Sequence, residues 1–211
     1  MKGNFWDERY GKEAVGDDFA YGKQPNDFLA QTVESMKLTG AGKRCLLLAD
    51  GEGRNGVFMA KQGYQVVSVD FSKVGMDKAQ RLAKDECVTI ETIVADLAQY
   101  DLGTQKWDCI VGISCHLPAP IRTKVLEAIP ASLKPGGRFI LECYTPKQLE
   151  FKTGGPPGPE MMYSSDILSK AFGSALVTEK NEEIVREVVE GTYHTGKAAV
   201  VQFIGKKEGA E

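Results

Sequence analysis

The chain has no Cys-x-x-Cys pair, no extended block of basic residues and no apolar run long enough to cross a bilayer. Each absence removes a class of function. The five cysteines, Cys45, Cys87, Cys109, Cys115 and Cys143, are odd in number. Three of them fall in apolar runs, so reduced core thiols are expected rather than a disulfide framework. Net charge is -3, and no Lys/Arg cluster exceeds pairs such as Lys206-Lys207. A polynucleotide partner needs a basic footprint, so nucleic acid is not expected. Runs such as Cys45 to Ala49 are far too short for a membrane span. Met1 to Asp7 lacks the apolar segment of a secretory signal. These features predict a cytoplasmic protein with no membrane partner. There are only two histidines, His116 and His194, and no Cys/Asp cluster accompanies them, so no metal is expected.

What is present points to one domain. The 211 residues are 42% apolar and 26% charged, with 23 glycines, a composition suited to a sizeable core and many tight turns. Strand-like runs alternate with helix-like stretches, the pattern of βαβ units and a parallel sheet. Strands are predicted at Cys45 to Ala49, Gln65 to Val69, Val88 to Val94, Trp107 to Ile113 and Arg138 to Cys143. Helices are predicted at Asn4 to Tyr10, from Asn26 to Met36, at Arg54 to Gln62, from Ser72 to about Lys84, and at Pro120 to Leu133. The last of these is stopped by Lys134-Pro135-Gly136-Gly137. The pattern then changes. Pro146 to Pro159 is a long Gly/Pro loop, and a short helix follows from Ser165 to about Ala171. Two long runs, Ala175 to Val189 and Lys197 to Gly205, predict a hairpin whose turn contains Gly191 and Gly196. A frayed tail is expected over Lys206 to Glu211.

The most informative stretch is Leu46-Leu47-Leu48-Ala49-Asp50-Gly51-Glu52-Gly53-Arg54-Asn55-Gly56. A strand runs into a Gly-x-Gly turn and directly into a helix. Glycine there keeps a Cβ from blocking a ligand, and the helix N-terminus offers free N–H groups to an anion. Asp70 ends the second strand, where a carboxylate can accept both ribose hydroxyls of an adenosine. Asp96, after the third strand, can accept the adenine amino group. Both aspartates also suit ordinary helix caps, and the glycine pattern on its own fits a nicotinamide cofactor equally. Three such features at the ends of three strands nevertheless converge on one crevice.

Taken together, these motifs resemble those of class I S-adenosylmethionine (SAM)-dependent methyltransferases, over about Phe5 to Gly205. The resemblance implies a Rossmann-like, doubly wound α/β sheet of seven strands, order 3-2-1-4-5-7-6 with strand 7 antiparallel. It implies SAM as cofactor and S-adenosylhomocysteine as product. It places an N-terminal helical lid over 1–40, the SAM-binding core over 41–144, an acceptor-side loop and helix over 145–172, and the hairpin over 173–205. Phe5-Trp6-Asp7-Glu8-Arg9-Tyr10, Phe19-Ala20-Tyr21-Gly22 with Pro25-Asn26, and Gly53-Arg54-Asn55 are similar to small bacterial tellurite-resistance-like and thiol methyltransferases. The resemblance assigns cofactor contacts to Trp6, Tyr21, Ala49, Asp50, Gly51, Gly53, Asn55, Asp70, Phe71, Asp96, Leu97 and Ser114. Trp6 and Tyr21 would cover the sulfonium, since a cation over an aromatic face is favoured; packing of an N-terminal helix on the sheet explains Trp6 equally. The family often carries an acid within strand one and a glycine before the Gly-x-Gly turn, where this chain has Leu47 and Ala49. Asp50 or a backbone carbonyl is expected to compensate.

Methyl transfer needs alignment and a dry site, plus a base when the acceptor carries a proton. His194, in the hairpin turn, leads the candidates because the resembling tellurite enzymes have a histidine near their C-terminal hairpin. His116, after strand four, and Tyr144, after strand five, follow; structural roles suit all three as well. Ser114-Cys115-His116-Leu117-Pro118 differs from the Asn/Asp-Pro-Pro-aromatic tetrad of amino-group nucleic-acid methyltransferases. A small thiol, a chalcogen oxyanion or a similar metabolite is the expected acceptor, with the loop Thr153 to Pro159 as its lid. Two alternatives stay open: a nicotinamide-dependent reductase, although no Tyr-x-x-x-Lys pair is present, and a SAM-binding interaction protein without catalysis. Oligomeric state is not legible.

Overall fold

A computed structural model of the chain describes residues 4–11, 19–191 and 193–209. Parts of the expected lid, 1–3 and 12–18, and of the expected tail, 210–211, lie outside the described residues. The sheet comprises β1 (Arg44–Leu48), β2 (Gln65–Asp70), β3 (Ile90–Val94), β4 (Trp107–Ile113), β5 (Leu133–Tyr144), β6 (Val177–Glu190) and β7 (His194–Lys206). Its order is 3-2-1-4-5-7-6. The first five strands pair in parallel, and β7 runs antiparallel to both β5 and β6. The expected fold class and strand order are therefore present.

Apolar residues alternate along the strands and supply two cores, one on each face. Leu46 and Leu48 of β1 pack with Ile110, Phe139 and Phe203 under α5 (Ala119–Ser132) and α6 (Ser165–Phe172). Cys45 and Leu47 face the other way, with Val111 and Ile140, under α2 (Asp27–Ser35), α3 (Arg54–Lys61) and α4 (Lys73–Asp85). Leu47 is thus a core residue, which accounts for the absence of an acid at that position. Each such side chain contributes about 1.5–3 kcal/mol by leaving water. Caps fix where the helices start: Asn26 Oδ1 accepts from Leu29 N, and Ser72 Oγ from Gly75 N.

Three boundaries differ from expectation. Strand β5 starts at Leu133, opposite Trp107, and Cys109 then pairs with Arg138, so Lys134–Gly137, expected as the turn between α5 and the strand, is instead a bulge within β5. Lys207 closes that bulge, accepting from Gly136 N and donating to Gly137 O. The hairpin turn is tighter than expected: Glu190 pairs with His194, which is the first residue of β7 rather than part of the turn. Gly196 likewise lies within β7, opposite Val188. The reason is Gly191, whose φ of +64° turns the chain at once. A Cβ on Gly191 would lie 2.5 Å from Ala20 O, so the hairpin tip packs against Ala20–Gly22.

Candidate active site

The sheet grows outward in opposite directions from β1 and β4, so a crevice opens between their C-terminal ends. Both strands leave the sheet through left-handed backbone: Ala49 has φ +53° and so does Ser114. Non-glycine residues there store on the order of 1–3 kcal/mol each, a strain typical of functional sites. Above them lies a cavity of about 390 Å³, large enough for a small-molecule cofactor.

On the β1–β3 side the cavity is lined by Ala49, Asp50, Gly51, Asn55, Asp70, Phe71, Asp96 and Leu97, and Ser114 lines it from the end of β4. Gly51 has φ +58°, and a Cβ on it would sit 2.6 Å from the Tyr10 hydroxyl, so glycine is required. Asp70 is buried; its Oδ2 accepts from Gly51 N at 2.9 Å and its Oδ1 from Ser72 N at 2.8 Å. A carboxylate offers about four acceptor positions, so beside the N–H groups of Gly51, Ser72 and Phe71 it keeps acceptor capacity toward the cavity. Burial pushes its pKa up to about 6, against the pull of those backbone N–H groups. Asp96 caps its own turn through Ala98 N and still faces the cavity.

The acid that follows β1 is Asp50, and its side chain turns back toward the strand. Ser68, opposite Leu47 in the ladder, donates to Asp50 Oδ2 at 2.6 Å, and Gly56 N donates to Oδ1 at 3.3 Å. The carboxylate therefore reaches back across the sheet and caps the start of α3. Burial pushes it up to about 7, partly offset by the Ser68 and Gly56 hydrogen bonds. Gly53 departs from its expected role. It does not line the cavity; a Cβ there would lie 2.5 Å from the Ala79 side chain, so this glycine admits α4 rather than a ligand.

The lid forms the roof. Trp6 and Tyr21 line the cavity, Trp6 stacked on Tyr10 in α1 (Asn4–Gly11) at 5.6 Å. Glu52, between the two loop glycines, holds both halves of this lid. Its Oε2 accepts from Ala20 N at 2.8 Å, and its Oε1 pairs at 2.6 Å with Lys78, which also donates to Tyr10 O. Asp7 Oδ1 accepts from Ser72 Oγ at 2.5 Å, tying α1 to α4.

The opposite wall brings together residues far apart in sequence. His116, His194, Tyr193, Met161 and Gly154–Pro157 line it. Gly154 and Gly155 have φ +130° and +93°, and Cβ atoms there would collide with the Tyr193 carbonyl and with the His194 and Tyr144 rings. The 153–159 loop can close on the site only because these positions are glycine. Tyr144 does not line the main cavity; it is buried behind it, its ring parallel to His116 at 5.4 Å and edge-on to His194 at 5.3 Å.

The two histidines differ. His116 Nδ1 meets the Met161 carbonyl at 3.2 Å, and Nε2 accepts from Tyr144 N at 3.4 Å. Both nitrogens are engaged, and burial pushes its pKa down to about 4. His116 thus ties β4 to β5 and to residue 161. His194 Nδ1 is buried with no hydrogen-bond partner among the described residues, and Glu190 Oε2 lies 3.7 Å away. Burial lowers its pKa, while Glu190 pulls it back up.

Several participants escaped the sequence reading. Glu190 carried no motif, and Glu52, Arg54, Arg9 and Tyr10 were quoted only inside longer segments. Arg9 lies 4.3 Å over the Tyr193 ring and donates to the Tyr21 hydroxyl at 3.3 Å. Among the described residues no group of three or more His, Cys, Asp or Glu side chains could hold a metal ion.

Comparison with known proteins accords with this geometry. Residues 46–137 match the family described as a methyltransferase domain. The matched segment holds β1 to β4 together with the Gly51 turn, Asp70 and Asp96 that line the cavity. A demethylmenaquinone methyltransferase of Clavibacter sepedonicus is 33% identical over 139 residues, 65% of this chain and 52% of that protein. The chain thus spans about half the length of that relative. A solved structure concerned with conversion of a disulfide bond into a thioacetal group during echinomycin biosynthesis superposes with a TM-score of 0.76. It is 16% identical, over 100% of this chain and 93% of its own. Magnesium protoporphyrin IX methyltransferase (ChlM) from Synechocystis PCC 6803, with bound SAH, gives 0.63 at 19% identity, over 85% of this chain and 80% of its own. At these identities the likeness to the solved structures is one of fold.

Proposed function

We propose that this chain transfers a methyl group from SAM to a small-molecule acceptor, a thiol, a chalcogen oxyanion or a similar metabolite. The observation that carries this reading is a single cavity with two unlike walls. One holds the Gly51 turn, Asp70 and Asp96; the other holds His194 and the glycine-bearing 153–159 loop. Asp70 would take the ribose hydroxyls, Asp96 the adenine amino group, and the N–H groups of Arg54 and Asn55 at the start of α3 the methionine carboxylate. When bound, SAM supplies a methyl carbon already activated by positive sulfur. The chain's own work is to align the acceptor beneath Trp6 and Tyr21, to exclude water and to hold its proton at His194. The protein is read as cytoplasmic, with reduced thiols, in keeping with five free cysteines.

Calorimetric titration with SAM and with NADH tests the cofactor. SAM binding without NADH binding is expected, and NADH binding alone sinks the reading. Methyl-labelled SAM incubated with thiols, selenite and tellurite then tests transfer. SAM binding with no labelled product from any acceptor would leave a binding module without catalysis.

A further inference from the structure

Behind the acceptor wall a buried polar network runs from the cofactor loop to the hairpin. Glu190, at the end of β6, is buried beside its cross-strand partner His194. Its Oε2 pairs with Arg54 of α3 at 2.7 Å and stands 3.7 Å from His194 Nδ1. Its Oε1 accepts from Asn26 Nδ2 at 2.8 Å. The same Asn26 amide reaches Glu142, which is held in turn by Arg186 and Gln202. Desolvation works against a charged Glu190, but His194, Arg54 and Asn26 hold its pKa well below the usual carboxylate range. A permanent anion is therefore fixed behind an imidazole that lines the cavity, and Nε2, across the ring from Nδ1, is left for the acceptor.

We infer that Glu190 and His194 form a carboxylate–imidazole pair that takes a proton from a thiol acceptor, with Glu190 as the positioning residue for the base. This rests on the methyl-transfer reading and narrows its acceptor. The acceptor sulfur forms a bond to the methyl carbon as the carbon–sulfonium bond breaks, its electron pair passing to the sulfonium sulfur. The acceptor's proton passes to His194 Nε2, and the resulting imidazolium faces the Glu190 carboxylate before releasing its proton to water. A thiol, with a pKa of about 8.5, is within reach of an imidazole, whereas an alcohol is not. A chalcogen oxyanion carries its lone pair already and has no use for a base held this way. The other groups facing His194 are Tyr21 at 4.5 Å, Tyr144 at 5.3 Å, Arg9 of α1 and Arg54 of α3, the two cations opposing its protonation, together with neighbouring Tyr193 and buried His116.

Only two histidines exist, so ¹⁵N-imidazole NMR of the full chain with S-adenosylhomocysteine resolves the pair, and a His194→Gln sample assigns them. In wild type, protonation of His194 should bring a downfield Nδ1 proton resonance, the mark of a carboxylate partner. Its absence overturns the pairing without any variant. In Glu190→Gln the His194 titration should move down by about one pH unit, as for loss of an opposite charge at this range; an unmoved titration overturns the inference. With a thiol that the enzyme methylates as acceptor, the acid limb of kcat should move down likewise while the plateau falls about tenfold. A loss of plateau or a rise in KM with the limb unmoved would make Glu190 merely structural, against the inference. Methylation of tellurite or selenite but of no thiol overturns the acceptor class. Absence of SAM binding would sink the methyl-transfer reading and leave the NMR test of the pair standing.

Discussion

The two walls of the cavity are built by opposite means. The cofactor wall is local: each of β1, β2 and β3 ends in a turn that carries its own functional residue, Gly51, Asp70 or Asp96. The opposite wall is assembled from a distance: His116 follows β4 and His194 starts β7, backed by Tyr144 at the end of β5 and Glu190 at the end of β6, with Gly154 and Gly155 clearing space between them. A local wall tolerates change elsewhere in the chain, whereas a wall drawn from four strands depends on their register. On the function proposed above, specificity diverges on the acceptor side while cofactor binding persists.

Four outcomes break or sharpen this contrast. His194→Ala should cut turnover on the order of a hundredfold, the low end for a lost general base, with SAM affinity near wild type. Steady-state kinetics beside calorimetry check it, and equal loss of both would erase the distinction between the walls. Asp70→Ala should do the reverse, weakening SAM binding by about a hundredfold through loss of charge-assisted hydrogen bonds; unchanged affinity would remove Asp70 from the site. His116→Ala should cost about 2–3 kcal/mol of stability, read by denaturant unfolding, because it orphans the Met161 carbonyl and the Tyr144 N–H. The His194 titration should stay where it was. Smallest, Ala49→Gly should gain at most about 1 kcal/mol, relief of the left-handed strain less the extra chain entropy.

The cofactor wall also sets a pH dependence. Asp50 titrates at about 7 in the folded chain against an ordinary 3.8. The native state thus holds this proton more tightly than the unfolded chain, so stability should fall as pH rises from about 4 to 7. Asp50→Asn should flatten that decline in thermal melts taken without SAM, leaving the smaller share of Asp70.

Legibility followed the same division. The Gly51 turn, Asp70 and Asp96 were readable because a strand, a turn and a helix cap are written in contiguous residues, whereas the strand order came from the resemblance to class I methyltransferases. Leu47 was readable as a departure, but the turn of Asp50 back onto Ser68 depends on which residues face each other across β1 and β2. Gly53 was read as a ligand-approach glycine. Its true constraint, the Ala79 side chain of α4, is visible only once the helices pack.

Apolar periodicity, caps and turn glycines sufficed to specify a doubly wound sheet and the crevice at its switch point, since those signals act over a few residues and repeat along the chain. Which histidine keeps a nitrogen for the cavity was a matter of packing. His116 is consumed by the Met161 carbonyl and the Tyr144 N–H, while the hairpin register sets His194 against Glu190, a neighbour that gains its meaning from Arg54 and Asn26 arriving from the other end of the chain. Contacts between distant residues are set by burial and pairing in three dimensions, and no local pattern encodes them.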